Sequence, residues 1–210
     1  MPLDDLSANI AVRDYFRSVA QNLVIGGEIL WGFRQPGVNT AVIHHELSAA
    51  AQVSDNLVAD LRRALENSQR TAAERSDLQR LAQAMASVMD HMAAAGAEAD
   101  RFAMDSLPVE LTELVELICD GAQRTTGAVR AQPDPIGLNV YRRRLEQLAD
   151  SADSTYRRLF TRWLTDGGSP SEIAEVSAVG DELEYAIHAL ETVAHIIEEL
   201  EHHHGGRILS

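Results

Sequence analysis

The 210-residue sequence has one cysteine, Cys119, so no disulfide can form within the chain. Cys119 lies in LVELICDGA at an apolar helical position, where a small buried thiol is expected. Aromatic residues are also few, at 5%, while Ala, Leu, Glu and Arg are plentiful, a mix that favours helix over sheet. No apolar run approaches the ~18 residues that a membrane span requires. The opening MPLDDLSANIAVRDYF has neither a basic n-region nor an apolar h-region, so no secretory signal is expected and the protein reads as cytoplasmic. The sequence contains no GxGxxG, Walker loop, GxSxG or HExxH, and no nucleophile–base pair can be assembled from its motifs. It does not read as an enzyme.

Positive charge is scarce as well. Lys+Arg number 18 against 32 Asp+Glu, a formal net charge of -14. Such a surface repels nucleic-acid phosphates and anionic lipid, and suits cations or a basic protein partner. The ending EHHHGGRILS reads as a frayed tail.

Helical signals fill the rest of the chain. A first helix is predicted over about 12–33, with Gly26 and Gly27 inside it at a cost in stability, which implies a closely packed neighbour there. QPGVN at 35–39 breaks the pattern. A second helix covers about 40–68, with Ile43, Leu47, Ala50, Val53/Ser54, Leu57, Leu61 and Leu65 at the three-and-four spacing of one buried face. Thr71-Ala-Ala-Glu74 has the form of a capping box opening a third helix to about 104. Ser106-Leu-Pro108 introduces a fourth helix to about 130. Asp134-Pro135 resembles an N-cap with proline at the first helical position, opening a fifth to about 164 through Val140, Leu145, Leu148 and Ala152. A second capping box, Ser169-Pro-Ser-Glu172, opens the last helix to about 201.

The fold class that follows is all-α, with six helices as two pseudo-repeated three-helix bundles, 1–105 and 106–210. Ala86 and Asp90 fall 98 residues before Glu184 and His188, and Ala51 falls 99 before Asp150. Two helix pairs that agree to within one residue point to a duplication.

One constellation carries chemistry. Glu146 and Asp150 are four apart on the fifth helix, as are Glu184 and His188 on the sixth, and residues four apart share a helix face. If the two helices pack as antiparallel neighbours, these four groups converge on one metal site. Carboxylates with an imidazole suit Zn or Fe first, and Mn or Ni next. Their first-half counterparts are Leu47, Ala51, Ala86 and Asp90, a mostly apolar set with one isolated acid. Glu116/Asp120, Glu191/His195 and Glu198/His202 read as solvated surface. Asp153 with Arg157, and Arg142 with Glu146, read as ordinary salt bridges.

The chain resembles the PhoU-like proteins, specifically the shorter companions of Pit-type inorganic phosphate permeases. The resemblance rests on RDYFRSVAQNLVIGGEIL, HHELSAAAQVSDNLVADLRRAL, LQRLAQAMASVMDHMAAAGAEADRF, RRLEQLADSADSTYRRLF and VGDELEYAIHALETVAHIIEEL. It implies two bundles related by pseudo-symmetry, with metal held by (Glu/Asp)-x-x-x-Asp motifs on the long helices. Glu146, Asp150 and Glu184 match that motif, while His188 stands where an aspartate is usual. It also implies a regulator or accessory of phosphate transport that meets a permease or phosphate-signalling protein at the inner membrane face, with self-association left open. The rival readings are a metal-handling helical protein and a structural interaction module.

Overall fold

The computed structural model describes residues 3–35, 37–66, 68–104, 106–131 and 134–204, and the side chains at 3–10 and 203–204 lie outside that description. The tail at 205–210 and residue 105, at the expected boundary between halves, also lie outside it.

The capping signals are met in the structure. Thr71 N–H donates to Glu74 Oε2 (2.7 Å) while Glu74 N–H donates to Thr71 Oγ1 (3.2 Å). Ser169 and Glu172 make the same reciprocal pair, at 2.9 and 3.2 Å. Asp134 Oδ1 accepts from Gly137 N–H (2.8 Å), with Pro135 in the first helical position. Each such cap is worth about 1 kcal/mol, because it satisfies amides that the helix leaves without partners. The resulting elements are α1 (Leu3–Trp31), α2 (Thr40–Glu66), α3 (Ala72–Arg101), α4 (Val109–Ala131), α5 (Pro135–Asp166) and α6 (Pro170–His204). A 3₁₀ turn, Gly32–Arg34, follows α1, and there is no strand among the described residues. α1 starts nine residues before the expected position.

The helices form one bundle. α1, α2 and α3 pack on one another, as do α4, α5 and α6, and the two sets meet along α1–α4 and most extensively along α3–α6. Close approach at α1 depends on glycine. A Cβ on Gly26 would lie 2.7 Å from Met89 Cε and 2.9 Å from Met92 Sδ, and one on Gly27 would lie 3.2 Å from Cys119 Sγ. The neighbours implied by this glycine pair are therefore α3 and α4. Cys119 itself is half-buried, its thiol donating to the Gly27 carbonyl (3.3 Å).

Of the Val53/Ser54 pair expected inward, Ser54 is the buried member, while Val140, also expected inward, faces outward. Val53 is 48% exposed and Val140 64% exposed. Their neighbours Ser54 and Tyr141 occupy the interior instead, because each finds a polar partner there. Asn22 Nδ2 donates to Ser54 Oγ (2.9 Å) and to the Ala50 carbonyl (2.7 Å), and the Tyr141 hydroxyl lies 2.9 Å from Thr125 Oγ1. Hydrogen-bonded polar groups can be buried at little cost, so at Val140 the periodicity is honoured one residue out of phase.

A tight turn joins α5 to α6. Gly167 takes φ 75°, and Gly168 N–H donates to the Trp163 carbonyl (3.0 Å). The left-handed backbone favours glycine at this position. The reversal makes α5 and α6 antiparallel neighbours, which aligns their flanks.

Candidate metal centre

The α5–α6 seam is built on buried Leu145, Leu148 and Ala152 facing Leu183, Ile187 and Leu190. Glu146 and Asp153 each follow a buried seam residue, Leu145 and Ala152, so both flank the seam on the same side. On α6 the flanking strip reads Glu184, His188, Glu191, His195, spaced four, three, four.

Two groups of donor atoms form on this flank. Asp153, Glu184 and His188 present ligand atoms all within 4.8 Å of one another, and Glu146, Glu191 and His195 do the same. In the first group His188 Nε2 lies 3.0 Å from Asp153 Oδ1. In the second, His195 Nε2 lies 3.8 Å from Glu146 Oε1 and 3.9 Å from Glu191 Oε1. Glu191 touches both, because its Oε2 is also 3.3 Å from His188 Nδ1. His188 thus faces a carboxylate with each ring nitrogen. It meets both through N–H only as imidazolium, and a cation could take the place of either proton.

The electrostatics differ between the groups. Partial burial, followed by the Asp153 charge, holds the Glu184 carboxyl above its ordinary range; Asp181 adds to this, while His188 and Arg157 oppose it. A cation among these oxygens would relieve the repulsion. The second group already holds one, since the Arg142 guanidinium contacts Glu146 through Nη1 and Glu198 through Nε (2.7 Å).

The four residues singled out by spacing are therefore not gathered at one point. Glu184 and His188 stand together with Asp153, Glu146 stands with Glu191 and His195, and Asp150 is exposed and belongs to neither group. Helix geometry explains the change. A four-residue step turns roughly 40° away from the starting direction, whereas a seven-residue step drifts only ~20°. Along a seam between packed helices the seven-residue partner keeps facing the neighbour, so Asp153 succeeds Glu146 and Asp150 points away. The recurrence of Glu184, Glu191 and Glu198, with His188, His195 and His202, carried that signal in the sequence.

No family model matches the chain, and no curated protein matches it.

In the first half, Leu47 and Ala86 are buried and Ala51 is half-buried, as the apolar reading requires. Asp90 is not isolated. Partial burial and the charge of Asp55 on α2 hold it above the ordinary carboxylate range, with His91 acting the other way. Asp55 and Asp90 lie 98 residues before Asp153 and His188 (153 − 55 and 188 − 90). Glu116 and Asp120, expected to be merely solvated, pair with Arg34 (3.2 Å) and with Arg124 (2.8 Å) and Arg144 (3.2 Å). Two further imidazole–carboxylate contacts pin helices together: His44–Asp100 (3.0 Å) between α2 and α3, and His91–Glu182 (2.8 Å) between α3 and α6.

The donor set of the first group, one imidazole and two carboxylates, fits a divalent ion of borderline softness such as Zn or Fe(II). Asp153, Glu184 and His188 would hold it, and hard, hydrated Mg is the poorer match.

Proposed function

We propose that this protein is a regulator or accessory of inorganic phosphate transport that works through protein contacts and carries a cation site on the α5–α6 flank. The observation that supports it is the pairing of helices. Within each set of three every helix packs on the other two, and the sets meet through α1–α4 and α3–α6, first helix against first and third against third. A duplicated chain folding about a pseudo-two-fold axis would pair in this manner, as the PhoU-like resemblance implies. The 98-residue offset shared by Asp55/Asp153 and Asp90/His188 agrees with it. In this reading the protein acts without turnover, and a bound cation stiffens the α5–α6 seam that a partner reads. No helix among the described residues is long and apolar enough to cross a membrane, so contact with a permease would be made from its aqueous face.

Deleting the gene should change phosphate uptake or the phosphate-starvation response. Uptake and response that stay unchanged across phosphate concentrations would overturn the proposal. The two His–carboxylate groups favour one rival, a metal-handling protein. Stoichiometric, redox-active iron in the purified chain, with normal phosphate uptake in the deletion strain, would favour that rival instead.

A further inference from the structure

We infer that the outer groove between α4 and α5 is a docking site for an acidic amphipathic helix of another protein, which seats an apolar side chain over Gly127 and turns its carboxylates to Arg124, Arg143 and Arg144. This surface is separate from the α5–α6 flank, and the inference stands whether or not a cation binds there. Glycine is the poorest helix former after proline, so a glycine inside a helix calls for a packing reason. Gly26, Gly27, Gly96, Gly121 and Gly180 each have one, since an atom of another helix stands within 3.2 Å of the place a Cβ would take. Gly127, one turn before the end of α4, has nothing within 4 Å. Its uncovered backbone instead lines a groove of about 300 Å³, together with Ala128, Val140 and Tyr141.

Apolar surface continues out of the groove. Val140 is 64% exposed, and Ile136, one turn earlier on the same face of α5, is 75% exposed. Large aliphatic groups left in water beside an apolar groove mark a contact surface. Charge on the rim then selects the partner. The chain carries a net charge of -14, yet among the described residues no acid lines the groove, whose charged members are Arg124 and Arg144. These two guanidinium groups share one carboxylate, Asp120 (2.8 and 3.2 Å), so one positive charge is left over. Arg143, three residues after Val140, is exposed and makes no ion pair among the described residues, which adds a second. Arginine grips a carboxylate through two parallel N–H donors, so the rim suits Asp or Glu. Asp120 meets Arg144 and Glu113 meets Arg158, so α4 and α5 run antiparallel. A groove between two such helices accepts a third, whose apolar residues at three-and-four spacing form one row. A second copy of the chain, meeting this face with its own, would set arginine against arginine. A flat bilayer does not reach the Gly127 backbone, and the acidic remainder of the chain is repelled by anionic lipid.

The test is fluorescence anisotropy of the full chain with a labelled synthetic helix of about three heptads, leucine and alanine on one face and glutamate on the other. A counterpart with glutamine in place of glutamate serves as the neutral probe. The glutamate helix should bind saturably, about tenfold or more tighter than the glutamine helix, and should weaken as salt rises. Arg143→Gln combined with Arg144→Gln should weaken the glutamate helix about tenfold and leave the glutamine helix nearly unchanged. Gly127→Ala puts a methyl group into open space, so it should raise the thermal midpoint while weakening binding severalfold. Gly127→Leu should abolish binding of both helices. Arg62→Gln, on the exposed side of α2, should leave binding unchanged. Thermal melts followed by circular dichroism show that each variant is folded, and the alanine and arginine variants carry the test should Gly127→Leu not fold. No saturable binding at millimolar probe, equal affinity for the two helices, or parent-like binding by both Gly127 variants would overturn the inference. So would binding to phosphatidylserine vesicles but not to the helix, which would give the groove to a membrane, or a dimer dispersed by Gly127→Leu, which would give it to a second copy.

Discussion

His188 Nε2 lies 3.0 Å from Asp153 Oδ1, an α6 imidazole against an α5 carboxylate one heptad from Glu146. This contact replaces the expected meeting of His188 with Asp150, and it yields the most direct prediction. Asp153→Asn should weaken divalent-ion binding by at least tenfold, since loss of even an outer-sphere partner costs about 10–100-fold. Asp150→Asn should leave binding unchanged. Zn(II) competition against a chromophoric chelator measures both, and equal losses would restore Asp150 to the site.

The close approach of α5 and α6 near this contact predicts a stability effect of opposite sign to helix propensity. A Cβ on Gly180 would lie 2.6 Å from Tyr156 Cε2 and 3.2 Å from Leu111 Cδ2. The Tyr156 ring has little room to yield, because its hydroxyl donates to Asp181 and it makes a T-shaped contact with Phe160 at a 4.9 Å centroid distance. Gly180→Ala should therefore destabilise the fold by about 1–3 kcal/mol through overpacking, although alanine is the better helix former by about 1 kcal/mol. Urea unfolding followed by circular dichroism would show it.

The fold was legible because its signals are local. Thr71/Glu74, Ser169/Glu172 and Asp134-Pro135 set helix starts by hydrogen bonds made within four residues. The centre was half legible. Glu184 and His188 sit on one helix at a spacing that guarantees a shared face, and the structure keeps them together. Asp153 joins them only through the register and supercoil of two packed helices, which no single-helix spacing contains. Val140 fails for a related reason, since apolar periodicity does not register that Tyr141 finds a buried hydrogen-bond partner, Thr125, on α4.

Cys119 predicts a pH dependence. Burial first, then the charges of Glu28 and Glu116, push its thiol from 9.0 up to about 11. The folded protein therefore holds a proton that the unfolded chain releases. The associated stabilisation is complete below pH 9.0 and is lost as pH rises toward about 11. At pH 8 the thiolate fraction should be about 100-fold below that of the unfolded chain, so iodoacetamide should label native protein far more slowly than protein in urea. Comparable labelling rates in the two states would contradict this placement of the thiol.

Two Arg–Glu pairs join α4 to α5 one helical turn apart, and they should differ in worth. Arg158 contacts Glu113, with both side chains well exposed, at 54% and 41%. Arg162 contacts Glu110 at 2.6 Å, and the Glu110 side chain is only 7% exposed. Removing Arg158 leaves Glu113 to water, so Arg158→Met should cost less than about 1 kcal/mol. Removing Arg162 leaves a buried carboxylate without its counter-charge. Breaking a fully buried pair costs about 3–5 kcal/mol. Two features reduce that figure here. Arg162 is itself 43% exposed, and Glu110 sits in the first turn of α4, where the positive helix end favours an anion. Arg162→Met should therefore cost about 1–3 kcal/mol, and adding Glu110→Gln to it should recover part of the loss, because the neutral amide no longer needs the guanidinium. A urea series on the parent, both single variants and the double variant measures this coupling. Equal costs for Arg158→Met and Arg162→Met, with no recovery in the double variant, would mean that burial of Glu110 does not set the strength of the α4–α5 contact.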